Sequence, residues 1–477
     1  MRHFLLSLLF MPMLVSALTP AVEPGELAAS QASSLSDADI VLTGSVNAAD
    51  LDWLVSHVPA GASVDLSAVT IAPYSGDRVG ISCTSAPADA LPPYILAGLR
   101  ASKLVLPRSL KSIGAGALLD AAVTSLEIPA SVTSVGAAAF AGCHALTSVT
   151  FADGSRLDSI PSRCFEGCER LAEVTLPSAL TAIGTRAFAG CNALTSLEFP
   201  SVLTSIGAEA FGKSGLETVD LADCKSLRHI GARAWAECQG LASATLPAGA
   251  LLSGEAVFMG CPQLTALTLP AKATSIPALT LTGASSLAEL TLPASLDSIG
   301  ALALAHASAV KLIALPASLR HIDAGAFEDC TGLERIDASA LESVPSLGAD
   351  VWSGVECKNV ILRATTETER DFLDALQWQD FSIETSGIVT LPADSGSDDR
   401  QLSVCASFTG STLTVSADEP VALVTVHSLD GSTLEVRPPR PERLLTADTS
   451  ALGGQVLILR VFPEGCSTPV TLKLLRR

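Results

Sequence analysis

The chain has 477 residues, of which 48% are hydrophobic but only 4% aromatic, and its formal net charge is −20. That length exceeds what one hydrophobic core usually spans, so the chain holds several domains or one elongated one. Acids outnumber bases 49 to 29 with no long basic run, which argues against nucleic acid and anionic membrane surfaces as partners.

Met1-Arg2-His3 precede an apolar run from Phe4 to about Leu14, and Val15-Ser16-Ala17 offers a small-x-small cleavage site. This is the anatomy of a secretory signal peptide over residues 1–17. An N-terminal membrane anchor is the competing reading, although the run is short for a bilayer span. No Cys precedes Cys83, so a lipidated cysteine near the cleavage site is excluded. No transmembrane segment is expected in the mature chain.

From about Leu91 a pattern L-x-x-[VL]-x-[LF]-P recurs, as in Leu194 to Pro200 (LTSLEFP) and Leu287 to Pro293 (LAELTLP). Pro107, Pro129, Pro177, Pro200, Pro247, Pro270, Pro293 and Pro316 mark equivalent positions, with Ala152, Ala222, Ser339 and Arg363 in the remaining units. Successive marks are 22 to 25 residues apart, most often 23. A second ladder has nearly the same period: Phe140, Phe165, Phe188, Phe211, Trp235, Phe258, Leu281, Leu304, Phe327 and Trp352. It sits in the phrase I-G-x-x-A-F-x-G-C. Two ladders on one period predict a solenoid.

Within a unit, the apolar fourth and sixth residues point inward and the residue between them outward, by strand alternation. Pro ends the strand without leaving an amide unpaired. The I-G-x-x-A-F stretch is expected to return as a short helical or irregular arc, with Gly permitting tight backbone. Leu281 and Leu304, which lack both the ring and the G-C phrase, predict less regular packing.

The unit [LV]-x-x-[VL]-x-[LF]-P-x-x-[LV]-x-x-I-G-x-x-A-F-x-G-C resembles the BspA-like, or Treponema-type, leucine-rich repeat. The likeness runs over residues 91–363. LTGSVNAADLDWL and VDLSAVTI, within residues 28–90, are similar to the N-terminal entry segment of such proteins in Bacteroidetes. Cys357 to Ile383 resembles the family's closing unit, so residues 357–386 are expected to cap the solenoid through Phe372, Trp378 and Phe381. The resemblance implies a leucine-rich-repeat solenoid of short parallel strands on a secreted or surface protein associated with adhesion.

Residues 387–401, which include ADSGSDDR, read as a linker. Residues 402–477 alternate in strand-like runs around an Asp430-Gly431 turn signal, which predicts a small β-sandwich. PVALVTVHSLDGSTL, DTSALGGQVLILRV and TLKLLRR resemble the C-terminal sorting domain of the type IX secretion system. Val456 stands where that family usually has Tyr. The resemblance implies passage across the outer membrane through its secretion machinery; an ordinary accessory β-domain is the alternative.

Cys143, Cys168, Cys191, Cys238, Cys261 and Cys330 share one repeat position, which favours an inward ladder of thiols over disulfides. Cys164 and Cys168 are spaced C-x₃-C without an accompanying Cys or His motif, so no zinc site is expected. Asp394, Asp398 and Asp399 read as a solvated linker. His229 and His321 read as solvated turn residues. No H-E-x-x-H, G-x-S-x-G or P-loop occurs. Hence no enzyme activity, cofactor or metal is expected.

The best candidate surface is the outward strand column: Glu127, Thr150, Thr175, Glu198, Asp220, Thr245, Thr268, Thr291 and Asp337. These residues are expected on one concave sheet, about 4.8 Å apart. Such a face is preformed for a protein or glycan ligand on a host or neighbouring cell surface. It lacks the Tyr, Trp and Arg of typical hot spots, and Thr also simply favours strands, so a solubilising face remains the competing reading. The leading expectation is a cell-surface binding protein. A structural component of the envelope is the alternative, and a hydrolase with an unrecognised site a distant third.

Overall fold

The computed structural model describes residues 21–27, 39–79, 83–365, 368–385, 387–388, 404–409, 412–428, 432–452, 456–464 and 470–475. The signal-peptide segment, Asp394, Asp398, Asp399 and the Asp430-Gly431 turn lie outside them. The chain divides into two compact units, Met1–Cys261 and Pro262–Arg477. Each holds solenoid turns with little helix, and the second unit ends in an antiparallel sheet.

The first unit begins with the two-residue strand Ala21–Val22, strand Asp39–Val46, helix Ala48–His57 and strand Ser63–Ile71, the three strands pairing in parallel in that order. The helix is capped by Asn47, whose Oδ1 accepts the Ala49 N–H at 2.9 Å. Asp50 completes the capping box by accepting the Asn47 N–H at 2.9 Å. The same carboxylate accepts Gly25 N–H at 2.7 Å and Leu27 N–H at 3.0 Å. One buried acid therefore fastens the preceding segment to the helix. Ser63–Ile71 then pairs in parallel with Lys103–Val105, which opens the repeat array.

Most repeats supply two strands. The longer ones stack in parallel and in register: Ser125–Ile128, Ser148–Phe151 and Glu173–Thr175 align Leu126, Val149 and Val174 on one side. The second strands have two residues each, from Ser159–Ile160 through Ala182–Ile183, Ser205–Ile206 and His229–Ile230 to Leu251–Leu252. The return arc thus contains a second parallel ladder rather than a short helix. Its glycine answers a close approach: a Cβ on Gly207 would lie 2.5 Å from the Thr185 nitrogen of the neighbouring turn. Past that glycine the turn carries a left-handed residue, for example Arg186 at φ 57°.

Neighbouring arcs are joined by main-chain bonds. Phe140 N–H donates to Cys164 O at 3.0 Å, Phe165 N–H to Ala187 O at 2.8 Å and Phe188 N–H to Ala210 O at 2.8 Å. Buried amides of one turn are therefore satisfied by the next. Inside, Phe140, Phe165, Phe188, Phe211, Trp235 and Phe258 stack face to face at centroid separations of 5.2, 5.3, 5.4, 6.0 and 5.4 Å. All six are essentially removed from solvent. Each contributes roughly 1.5–3 kcal/mol by burial alone.

In the second unit Leu281 and Leu304 occupy the ring positions and are fully buried, with Ala284 and Ala307 at the cysteine positions. The main-chain bonds persist, Leu281 N–H to Ala303 O at 2.7 Å and Leu304 N–H to Ala326 O at 2.8 Å. These turns keep the regular ladder, contrary to the expectation from their missing rings. Leu312–Ala314, Arg335–Asp337, Ile361–Ala364 and Ser382–Thr385 form a parallel sheet. Its register pairs Arg363 with Asp337. Arg363 is therefore an outward strand residue and not a proline equivalent; the unit before it is longer than spacing alone suggested.

The array closes on Trp378 and Phe381, packed against Trp352, with Phe372 edge-on to Trp378. Gln377 accepts the Val351 N–H at 2.9 Å and donates to Gly348 O at 2.7 Å. A side-chain amide thus takes the place of the backbone of a further turn. Beyond it, Gly387–Ile388, expected in the linker, pair antiparallel with Val404–Thr409. The C-terminal sheet is organised by one long strand, Thr412–Ser428. Its first half pairs with Val404–Thr409 and Glu442–Asp448, its second with Thr433–Val436 and Val456–Pro463, with a register shift between Ser416 and Val421. Leu413, Val415, Val424, Val426, Leu445 and Leu459 from both halves share one core.

Candidate functional site

The outward column lies on the longer strands. In the first unit Glu127, Thr150 and Thr175 are direct neighbours across three strands, and Asp220 faces Thr245 across another pair. Glu198 is exposed but sits outside a strand. In the second unit Thr268 is exposed on Ala266–Thr268, Thr291 is exposed outside a strand, and Asp337 is half-buried between Ala314 and Arg363. Ala314 interrupts the polar column, and the spacing pattern had passed over it.

These residues are not equivalent. Among the described residues, the side chains of Glu127, Thr150, Thr175 and Glu198 make no hydrogen bond or ion pair, so their polar groups are free for a ligand. Asp220 instead accepts the Ala222 N–H at 3.0 Å, and Asp337 accepts the Ser339 N–H at 3.0 Å and its hydroxyl at 2.6 Å. Asp65, on the entry strand, accepts the Ser67 N–H at 2.8 Å. Ala222 and Ser339 are the residues that replace Pro. Where Pro is absent an amide becomes available, and an Asp two residues earlier satisfies it. Asp220 and Asp337 are thus partly turn-building residues. Asp337 is further engaged by Arg363 at 3.5 Å, while Arg335 lies 3.9 Å from Glu384.

The return arcs carry a second polar arrangement that pattern reading missed. Arg186 bridges Glu166 at 2.7 Å and Glu209 at 3.4 Å, and Arg163 lies 3.6 Å from Glu166. Opposite charges one repeat apart were the signal available. Exposed pairs of this kind stabilise by about 0–1 kcal/mol each.

His229 and His321 belong to the two-residue strands rather than to turns. Both ring nitrogens of His321 are engaged, Nδ1 with Ser346 Oγ at 2.7 Å and Nε2 with Asp323 Oδ1 at 2.8 Å. This Ser–His–Asp relay has the members of a hydrolytic triad. The nearby amides of Asp323 and Gly348 already donate to Ile299 O and Ile322 O, so neither serves as an oxyanion donor. The relay reads as a clamp between adjacent turns.

The thiol ladder is inward and reduced. Cys143, Cys168, Cys191, Cys238, Cys261 and Cys330 are all buried and free. Each thiol donates to the carbonyl of the ring-position residue one turn earlier, from Cys143 to Leu118 O at 3.2 Å through Cys191 to Phe165 O at 3.2 Å to Cys330 to Leu304 O at 3.2 Å. Burial pushes the Cys261 and Cys330 thiols up to about 12 and holds Cys164 well above the ordinary thiol value, while a hydrogen bond with Cys143, together with burial, raises Cys168. A metal ligand must be thiolate, so burial opposes zinc at Cys164 and Cys168. A depression of about 500 Å³ at the closing cap is lined by Asp350, Trp352, Glu356, Lys358 and Asp380 among others. No described helix is long and apolar enough to cross a membrane.

The model of the BspA type leucine rich repeat region matches four overlapping segments, 90–217, 158–276, 204–334 and 252–371, which together cover more than half of the chain. No curated protein matches it. A solved leucine-rich repeat protein from Bacteroides ovatus is similar at 23% identity over 73% of this chain and 84% of its own, with a TM-score of 0.54. That likeness establishes the fold. The T. pallidum leucine rich repeat protein is 30% identical over 34% of this chain and 78% of its own, with a TM-score of 0.31. A leucine rich cell surface protein from Faecalibacterium prausnitzii is 21% identical over 57% of this chain and 86% of its own, with a TM-score of 0.26.

Proposed function

We propose, from the premise that the chain belongs to the BspA type leucine-rich-repeat family, that it is an exported binding protein that holds a protein or glycan ligand on its outward strand column. The observation that carries this reading is the run Glu127, Thr150 and Thr175, whose polar groups are aligned in register and left without partners. Backbone stacking fixes their spacing before any ligand arrives, which lowers the ordering cost of binding. Hydroxyls and carboxylates in a row suit the hydroxyls and amides of a glycan or an extended peptide. Catalysis is no part of the proposal.

Residues 1–17 would direct export, and residues 402–477 would act as the type IX sorting signal that leads to surface attachment. Their support is the sequence resemblance and the antiparallel sheet formed by the tail.

The test is a screen of the purified chain against extracellular-matrix proteins and a glycan array. It is run beside a Glu127→Ala/Thr150→Ala/Thr175→Ala variant with an unchanged melting temperature. Saturable binding that falls at least about tenfold in the variant, a loss of about 1.4 kcal/mol, is expected. Equal binding by both proteins, or none by either, overturns the proposal. Deleting residues 402–477 should trap the chain in the periplasm; normal surface export of the truncated chain rules out the sorting role.

A further inference from the structure

We propose that His306, Glu328 and Asp329 form a divalent-metal site of the zinc type on two successive return arcs. Their ligand atoms all lie within 4.8 Å of one another, and His306 Nδ1 is 3.2 Å from Asp329 Oδ2. The arcs are locked together at this point, because His306 N–H donates to Glu328 O at 2.7 Å. Tetrahedral ligands about 2.0–2.2 Å from zinc lie roughly 3.3–3.6 Å apart. The His306–Asp329 pair already stands at about that spacing, and the Glu328 carboxylate lies within 4.8 Å of both.

Comparison with the same positions elsewhere in the array separates this group from an ordinary surface ion pair. His306 and Asp329 occupy the left-handed position that holds Gly142, Gly167, Gly190, Gly260 and Gly283 in other turns. Lys213 and Glu237 occupy it too, and pair at 3.4 Å with charges that cancel. The residue before Glu237 is Ala236, whereas the residue before Asp329 is Glu328. Two carboxylates here face one imidazole. Among the described residues, the Glu328 side chain makes no ion pair or hydrogen bond, and the only ion pair of Asp329 is with His306. The cluster thus has excess negative charge and no Lys or Arg to balance it. One imidazole nitrogen and two carboxylate oxygens are a donor set suited to zinc, with water completing the tetrahedron.

The experiment titrates the metal-free full-length chain with Zn²⁺ against a chromogenic zinc indicator and by calorimetry. It is repeated with His306→Asn and Glu328→Gln. Asn tolerates the left-handed backbone at position 306, so the first variant removes the ligand without straining the turn. Matching metal-free melting temperatures confirm that both variants are folded. We expect one equivalent of Zn²⁺ to bind the wild-type chain and to raise its melting temperature. Affinity should fall by at least about ten- to a hundredfold in each variant, the scale on which even supporting residues act. A wild-type chain that binds no zinc overturns the proposal, as do variants that bind it equally tightly.

Discussion

The turns around Phe188 and those around Leu304 solve one packing problem with different side chains. In the first, stacked rings are followed by a cysteine that donates to the carbonyl of the turn before. In the second, Leu and Ala take the two positions and the turn-to-turn main-chain bonds are kept. The backbone ladder therefore defines the fold, and the side chains fill the space it leaves. In these turns a ring goes with a thiol and a Leu with a methyl group. A single change within a pair is what the core resists.

The largest test of this contrast is truncation. Phe188→Ala should lower stability by about 3–5 kcal/mol, and Leu304→Ala by less, because the smaller side chain leaves a smaller void; equal losses on urea unfolding of the two variants would reject this order. Next comes the turn-building role of aspartate. Asp220→Ala should cost about 0.5–1.5 kcal/mol by removing the hydrogen bond to the exposed Ala222 amide, whereas Thr175→Ala should stay within about 0.5 kcal/mol. Adding Ala222→Pro to the Asp220→Ala chain should recover most of the loss, since Pro has no amide to satisfy. No recovery in the melting temperature would reject this explanation. A smaller effect is expected from Cys191→Ala, about 1 kcal/mol for a lost hydrogen bond and a small void.

Thiol titration sharpens the same comparison without mutation. With Cys261 and Cys330 pushed up to about 12 by burial, these thiols stay protonated at pH 8 in the folded chain and ionise more readily once unfolded. Because their folded pKa is raised above the unfolded value, the stability they contribute is fully present below about pH 8.5 and declines as pH rises from there toward 12. A disulfide-exchange reagent at pH 8 should label the unfolded chain rapidly and leave these positions unlabelled in the native chain. Rapid native labelling would contradict a closed ladder.

Both ladders of the solenoid were legible because the inward residues are large, apolar and strictly periodic, so Phe140 to Trp352 announce the fold directly. The second strand of each repeat was hidden. Two residues such as Ser205–Ile206 give no alternation to read, and their pairing depends on neighbours a full turn away. Arg363 was misplaced because the unit between Asp337 and its partner is longer than the period. The outward column was legible as a column, but the difference between Thr150 and Asp220 was not. It depends on where an amide points after the strand ends. The relay of Ser346, His321 and Asp323, like the cluster at His306, joins residues from separate turns and emerges only once the turns are stacked.

The closing cap bears on how such a chain changes length. Gln377 ends the array by imitating main chain, and Trp378 and Phe381 cover the last ring. Neither device counts how many turns came before it. The array is therefore an editable text with fixed punctuation. Excising one whole period between proline marks, such as residues 271–293, would bring the neighbouring turns into the same register and leave both ends unaltered. The length of the outward strand column can then drift by whole turns over generations while the fold that presents it stays constant.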